Sequence, residues 1–527
     1  MIDRTLGVAD LPDRESANRV EGVLNAIPGV FARVNRYEGV IHLAAQESIP
    51  DSQLIAALGR EGFEAHSLGG RKSPRRIVIL GGGVASMAAA VRAAESGAEV
   101  TLVTDEQPGG NCIHGGAVPS KLRLRAAEAA YRPRHPAFRG IAATAPAVDM
   151  EVLRGQEERI AGVLGERKFL DALAGYSNIR RVRGKGRISG PNNVSVDGPE
   201  EMEELYADRI LLATGAAPYV PPVPGLAETP FWTAPEALRA GVAPEHLVVL
   251  GGGYVGVELA QAFRRLGARV SLVTRRGLLP DLEPELGEGL AGILAGEGVR
   301  LHLGTEVLRV SHHQGFLLET DAGETLRGDH LVVAAGRSPN TRDLGLDRAG
   351  LATDSEGFIH VDERLETQVE GIYAVGNCTD HEPPLAHLAE EAGTRAGANM
   401  TGGDAPLHPR QVPRVVFTDP QVASVGLTER EAHELGLEVE SRVLPLDRVP
   451  RAIVNQGPRG LIKLVASRPE GVLLGAHMLA EGAGEAIQTA CLGMAQGMTV
   501  RDLADRIFPF LTMVEGLQLC ARTFSEA

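Results

Sequence analysis

Two stretches of this sequence repeat one pattern that few folds can accommodate. Residues 76–104, RIVILGGGVASMAAAVRAAESGAEVTLVT, and residues 246–274, HLVVLGGGYVGVELAQAFRRLGARVSLVT, each read as a buried strand, a glycine turn, a small-residue helix and a second strand. Such a βαβ unit aims the free N–H groups of a helix N-terminus at a pyrophosphate. One glycine turn alone is weak evidence, but two at matching places in the same unit point to two dinucleotide sites. The second turn keeps Gly251, Gly253 and Gly256 in full GxGxxG register, whereas the first has Gly81, Gly83 and then Ser86, small enough for the helix to stay close.

A chain of 527 residues exceeds one core and predicts roughly three or four domains. Residues 6–66 alternate apolar runs (Leu6–Val8, Val30–Val34, Val40–Leu43) with helical patterns at Asn18–Ala26 and Ser52–Glu61, the β-α-β-β-α-β order of a small ferredoxin-like domain. LGGRKSPRR then breaks the periodicity, as a linker does. After the second unit, LVVAAGRSPNT (331–341) and GIYAVGNCTD (371–380) each read as a strand ending in a glycine turn, closing a split domain back onto the first nucleotide. From about Val412, RVVFTD, GLIKLVAS and GVLLGAHML read as strands before a run of helices, a separate C-terminal unit. The net charge of −15 argues against a nucleic-acid partner, which needs a basic face. No apolar run approaches the roughly 20 residues that span a bilayer and no signal pattern opens the chain, so a cytoplasmic location and no membrane partner are expected. The four cysteines are scattered without metal-binding spacing, and no metal site is expected.

Together with GGNCIHGGAVPSK (109–121), ATGAAPYVPPVPG (213–225), NMTGGDA (399–405), VVFTDPQVASVG (415–426) and FPFLTMVEGLQL (508–519), these units resemble the flavoprotein disulfide reductases, most closely the mercuric reductase branch, over nearly the whole chain. The resemblance implies an α/β architecture: a degenerate heavy-metal-associated ferredoxin-like domain (1–68), a linker (69–74), a split Rossmann-like FAD domain (75–220 and 343–410), a Rossmann-like NAD(P) domain (221–342) and an α+β dimerisation domain (411–527). It implies FAD, a nicotinamide dinucleotide, and a homodimer whose active site is completed by the partner's C-terminal domain. FAD is then expected on Gly81, Gly83, Ser86, Thr104, Asp105, Thr214, Gly215, Gly376 and Asn377, with Thr379 in the same motif and Lys121 near the reactive flavin nitrogen. The nicotinamide dinucleotide is expected on Gly251, Gly253, Gly256 and Glu258, and Gly336 and Arg337 are expected to bind cofactor as well. Arg275 and Arg276 stand where a cation would meet a 2′-phosphate, which favours NADPH.

The departures concern sulfur. The paired cysteines of the N-terminal domain fall on Asp13 and Ser16, the redox pair is Cys112 with Ala117, and the chain ends CARTFSEA without a tail pair. A soft ion such as Hg(II) wants thiolates, so reduction of mercury by a dithiol relay is not expected. The C-terminal acid-base pair reads Phe510 and Glu515, and Phe510 cannot donate a proton. His114, two residues from Cys112, is the nearest imidazole in sequence and a candidate to act on that thiol; Cys378, Cys491 and Cys520 read as core residues. The expected activity is transfer of hydride from NADPH through FAD directly to a small acceptor lodged beside Ala117: a quinone, a nicotinamide or a small organosulfur compound bonding to Cys112. Metal-ion reduction and a non-catalytic flavin scaffold are the alternatives.

Overall fold

A computed structural model describes residues 2–8, 11, 13–35, 39–46, 49–67, 74–105, 107, 109–380, 383–408 and 411–524. Apart from Pro74, the expected linker lies outside them. The N-terminal sheet has the strand order Val30–Asn35, Val40–Ala45, Ile2–Val8, Ala65–Ser67, all antiparallel. Alternation along Val40–Ala45 turns Ile41, Leu43 and Ala45 inward, where they pack with Val20 and Leu24 of helix Arg14–Asn25 and Leu54 and Leu58 of helix Asp51–Arg60.

The first glycine unit builds a five-stranded parallel sheet, ordered Ile372–Ala374, Arg209–Leu212, Arg76–Leu80, Glu99–Thr104, Ile179–Arg183. The second builds a four-stranded parallel sheet, Val299–Leu303, Arg269–Thr274, His246–Leu250, His330–Val333. Helices cover one face of each parallel sheet and a three-stranded antiparallel sheet covers the other (Lys185–Gly190, Asn193–Asp197 and Met202–Tyr206 on the first; Val307–His312, Phe316–Thr320 and Thr325–Gly328 on the second), which is why Ile77–Leu80 and Leu247–Val249 are continuously apolar and buried. One expectation is corrected here. The strand inside 331–341 does not return to the first sheet: His330–Val333 pairs with His246–Leu250 in the second, and only Arg337–Pro339 reaches back, as an antiparallel partner of Ala216–Pro218.

The C-terminal unit is a five-stranded antiparallel sheet, Arg414–Val416, Gln421–Gly426, Leu473–Ala480, Leu461–Ser467, Val439–Pro445, covered by helices that include Ala483–Ala495 and Glu515–Ala521. Two of these strands escape the sequence pattern. Val439–Pro445 lies at a sheet edge with mostly half-buried residues, and Gln421–Gly426 buries Ser424, whose hydroxyl is satisfied by His477. Among the described residues no helix is long and apolar enough to cross a membrane.

Candidate active site

The carboxyl ends of Arg76–Leu80, Arg209–Leu212 and Ile372–Ala374 lie side by side and lead into Gly81, Thr214 and Gly376. This is the crevice where an open α/β sheet receives a ligand. Gly81 has φ +131°, and a Cβ there would come 2.2 Å from the Ala213 carbonyl oxygen; Gly251 has φ +125° and the same 2.2 Å from that of Ala334. The two turns are thus built alike. Gly83 and Gly253 cap the helices Val84–Glu95 and Tyr254–Arg265 without any side-chain capping bond, and a Cβ on either would meet nothing within 4 Å. First-turn N–H groups therefore face open space with the positive end of a helix dipole, which is what a pyrophosphate requires.

Two orphaned polar atoms belong to the same region. Ser86 Oγ is buried without a hydrogen-bond partner, and so is Nε of Arg337, whose Nη2 donates to the Ala216 carbonyl at 2.7 Å. Burial pushes the Arg337 guanidinium below its ordinary pKa, and among the described residues it forms no ion pair. An anionic dinucleotide supplies what that cation lacks, so the residues present fit such cofactors. The hinge beside them is tied by Thr214 Oγ1 donating to Asn340 O at 2.8 Å and Asn340 N donating to Gly215 O at 2.9 Å. Gly336 has φ +129° and its carbonyl accepts from Tyr219 N. Asn377 is half-buried in a turn closed by Thr379 Oγ1 donating to Gly376 O at 2.8 Å.

The likeness of the two turns aligns the residues that follow the second strand of each unit. A Cβ on Gly82 would sit 2.6 Å from Thr104 Oγ1, and one on Gly252 would sit 3.0 Å from Thr274. After those threonines come exposed Asp105 in one unit and exposed Arg275 in the other, with Arg276 beside it and 3.8 Å from Asp281. A carboxylate suits ribose hydroxyls, and a guanidinium suits a phosphate.

Gly109 N donates to Gly82 O at 2.9 Å, which lays the cysteine loop along the first glycine turn. Cys112 is half-buried in the short helix Gly110–His114. Gly116 then caps helix Ala117–Tyr131, placing Ala117 and Lys121 one turn apart on one face. The His114 ring lies against helix Met150–Gly165, its Cε1 3.5 Å from where a Cβ on Gly165 would sit. None of the four cysteines forms a disulfide. Cys378 and Cys520 are buried, the latter thiol pushed up to about 12 by burial, whereas Cys491 is only half-buried rather than a core residue.

Glu258 projects from helix Tyr254–Arg265 to Lys121, with Oε2 at 2.8 Å and Oε1 at 3.0 Å from Nζ. The Lys121 ammonium also lies 4.7 Å from the centroid of Phe417, whose backbone N–H donates to Glu258 Oε1 at 2.9 Å. Sequence reasoning named Lys121 and Glu258 separately and missed Phe417, along with Gln261 and Arg265, which continue the same helix face. The i, i+3, i+7 spacing of Glu258, Gln261 and Arg265 is the signal that was available.

Phe510 is 73 % exposed and Ile507 99 % exposed on the segment before helix Glu515–Ala521. Glu515 accepts from Leu511 N at 3.2 Å, holding a turn in which Leu511 has φ +61°. In the N-terminal domain, the Asp13 carboxylate caps its helix, accepting from Ser16 N at 2.8 Å and Ser16 Oγ at 2.7 Å. Among the described residues no group of three His, Cys, Asp or Glu side chains could hold a metal ion.

Comparison with known proteins places this geometry. Residues 75–393 match the family of pyridine nucleotide-disulphide oxidoreductases, and residues 412–521 match the dimerisation domain of the same family. Mercuric reductase of Shigella flexneri is 41 % identical, covering 99 % of this chain and 98 % of its own. Mercuric reductase of Acidithiobacillus ferrooxidans is 42 % identical, covering 97 % and 95 %. Among solved structures, the HOCl-induced flavoprotein disulfide reductase RclA from Escherichia coli matches with TM-score 0.76 at 28 % identity, over 85 % of this chain and 100 % of that one. LpdA from Mycobacterium tuberculosis matches with TM-score 0.78 at 27 % identity, over 85 % and 99 %.

Proposed function

The chain belongs to the pyridine nucleotide-disulphide oxidoreductases, FAD-dependent enzymes that draw on a nicotinamide dinucleotide, and from that premise we propose that it oxidises NADPH and passes the electrons directly to a small acceptor, with no dithiol between. The observation that carries this is Ala117, one turn before Lys121, in a chain whose four cysteines form no disulfide. FAD, when bound, supplies the two-electron relay between nicotinamide and acceptor.

The chain's own residues do the rest. The N–H groups after Gly83 and Gly253 hold pyrophosphates, Asp105 bonds a ribose, and Arg275 and Arg276 take the 2′-phosphate. Lys121, held by Glu258, sets a positive charge at the edge of the flavin site. The short side chain of Ala117 leaves the acceptor room beside Cys112. The dimerisation-domain match supports a homodimer, in which Phe510 and Glu515 of one copy complete the site of the other. There Phe510 offers an apolar wall and no proton. Asp13 is occupied as a helix cap, which favours a docking role for the N-terminal domain over metal carriage.

An anaerobic NADPH titration tests the reading. A flavin without a dithiol takes up one equivalent of NADPH per FAD, and uptake of two equivalents refutes it. Reduction of Hg(II) is the second reading, favoured by the 41 % identity to a mercuric reductase and opposed by the lost thiol pairs; NADPH-dependent release of Hg(0) decides it.

A further inference from the structure

Helix Tyr254–Arg265 grips residues 417–419 of the C-terminal unit at three successive positions on one face. Glu258 Oε1 accepts from Phe417 N at 2.9 Å. Gln261 exchanges two bonds with Asp419, accepting from its N and donating to its O, both at 2.8 Å. Arg265 donates from Nη1 to Asp419 Oδ2 at 2.8 Å and from Nη2 to its carbonyl at 3.0 Å. Behind them Glu297 holds Arg265 bidentately, at 2.9 and 2.7 Å. All this fixes a phenylalanine that is nonetheless 39 % exposed. Burial does not explain its place.

What the Phe417 ring touches does. Its centroid is 4.7 Å from Lys121 Nζ, inside the roughly 6 Å reach of a cation–π contact. The ammonium has the Glu258 carboxylate and Ser120 Oγ, at 3.3 Å, as its polar partners, and the aromatic face as a wall. We propose that Phe417 is a positioning residue for Lys121: its ring stops the long side chain from swinging off Glu258, so that the C-terminal unit fixes where the positive charge sits in the flavin site. The place of Lys121 beside the flavin rests on the function proposed above.

Two measurements separate the claims. The first is the rate at which an amine-acylating reagent labels Lys121, read by mass spectrometry on the flavin-free chain. Phe417→Leu raises it about fivefold, and Phe417→Tyr stays within twofold of the parent. The second is reversible sulfite addition to bound FAD, which a fixed positive charge favours. Phe417→Leu weakens it about tenfold, and Phe417→Tyr restores it. If Phe417→Leu leaves both readouts at parent values while Glu258→Gln shifts them, Glu258 alone places the amine and the proposal falls. If Phe417→Leu releases FAD, the acylation rate decides; release by Phe417→Tyr as well makes the ring's role one of packing and also overturns the proposal. Lys121→Met leaving sulfite affinity unchanged, while Phe417→Leu still frees the amine, refutes the flavin placement and leaves the positioning role standing.

Discussion

The ammonium of Lys121 lies 2.8 Å from Oε2 of Glu258, joining the helix behind the cysteine loop to the helix that opens at the second glycine turn. Glu258 is nearly buried and serves two donors, Lys121 Nζ and Phe417 N. Glu258→Ala leaves the half-buried Phe417 N–H without that acceptor and frees the amine. It is expected to lower unfolding stability by about 2 kcal/mol, and Glu258→Gln by less, since an amide oxygen still accepts. Urea unfolding of the three proteins checks this. Equal loss in both variants would show that the charge, not the acceptor, matters.

Arg275 and Arg276 are exposed beyond the second strand of the NAD(P) unit, where Asp105 stands in the FAD unit. Charge-assisted bonds to a 2′-phosphate contribute roughly 1–3 kcal/mol each. Replacing both arginines with Ala should raise the KM for NADPH at least about tenfold and barely move that for NADH. An equal rise for both cofactors would make the pair structural.

The two glycine units were legible because their physics is local: parallel strands covered on both faces are apolar throughout, and helices opening at a pyrophosphate begin with glycine and small residues. Their relation to each other was not. Lys121 and Glu258 are each recognisable in sequence, but their pairing depends on how two nucleotide units dock. Lys463 shows the same limit. It sits inside the strand read from GLIKLVAS and is 2 % exposed, because Glu283, Glu285 and Glu429 come to it from other elements. His114 is a third case: its ring lies against Gly165 at the end of helix Met150–Gly165, a neighbour from another element that its place beside Cys112 in the sequence does not reveal.

The vacancy at Ala117 has a spectroscopic consequence. Full reduction by anaerobic NADPH should bleach the flavin without the long-wavelength thiolate-to-flavin band, because no sulfur stands at residue 117. Cys112→Ser should leave flavin reduction by NADPH normal. If the acceptor bonds to Cys112 as a disulfide or thione, turnover in that variant collapses by orders of magnitude; if a quinone or nicotinamide takes hydride directly, most of the rate survives and bulk added at Ala117 does the damage. A long-wavelength band that titrates like a thiol would mean that a cysteine reaches the ring after all.

The buried node around Lys463 makes the fold sensitive to acid. Its ammonium lies 2.9 Å from Glu283, 2.8 Å from Glu285 and 2.9 Å from Glu429; Glu283 is buried and the other two are about a third exposed, so Lys463→Met strands one buried carboxylate and should cost about 3 kcal/mol. The hydrogen bond from Lys463 holds the Glu429 carboxyl below its ordinary 4.5, a contribution present above that pH and lost as pH falls through the folded value. His477 acts earlier. It is fully buried, its Nε2 donating to the Leu427 carbonyl at 3.1 Å and its Nδ1 lying 2.7 Å from the Ser424 hydroxyl, which can donate to the neutral ring. Burial pushes its pKa below the ordinary 6.5, with Lys463 adding to that effect and Glu283 and Glu431 opposing it. Between the two values the unfolded chain binds a proton that the folded chain does not. Stability is therefore full above about pH 6.5 and declines as the pH falls below it. Urea midpoints at about pH 7.5, 6 and 5 should show this decline in the parent protein and a flatter one in His477→Gln, whatever the variant's absolute stability. An identical slope in both would place the acid-sensitive group elsewhere.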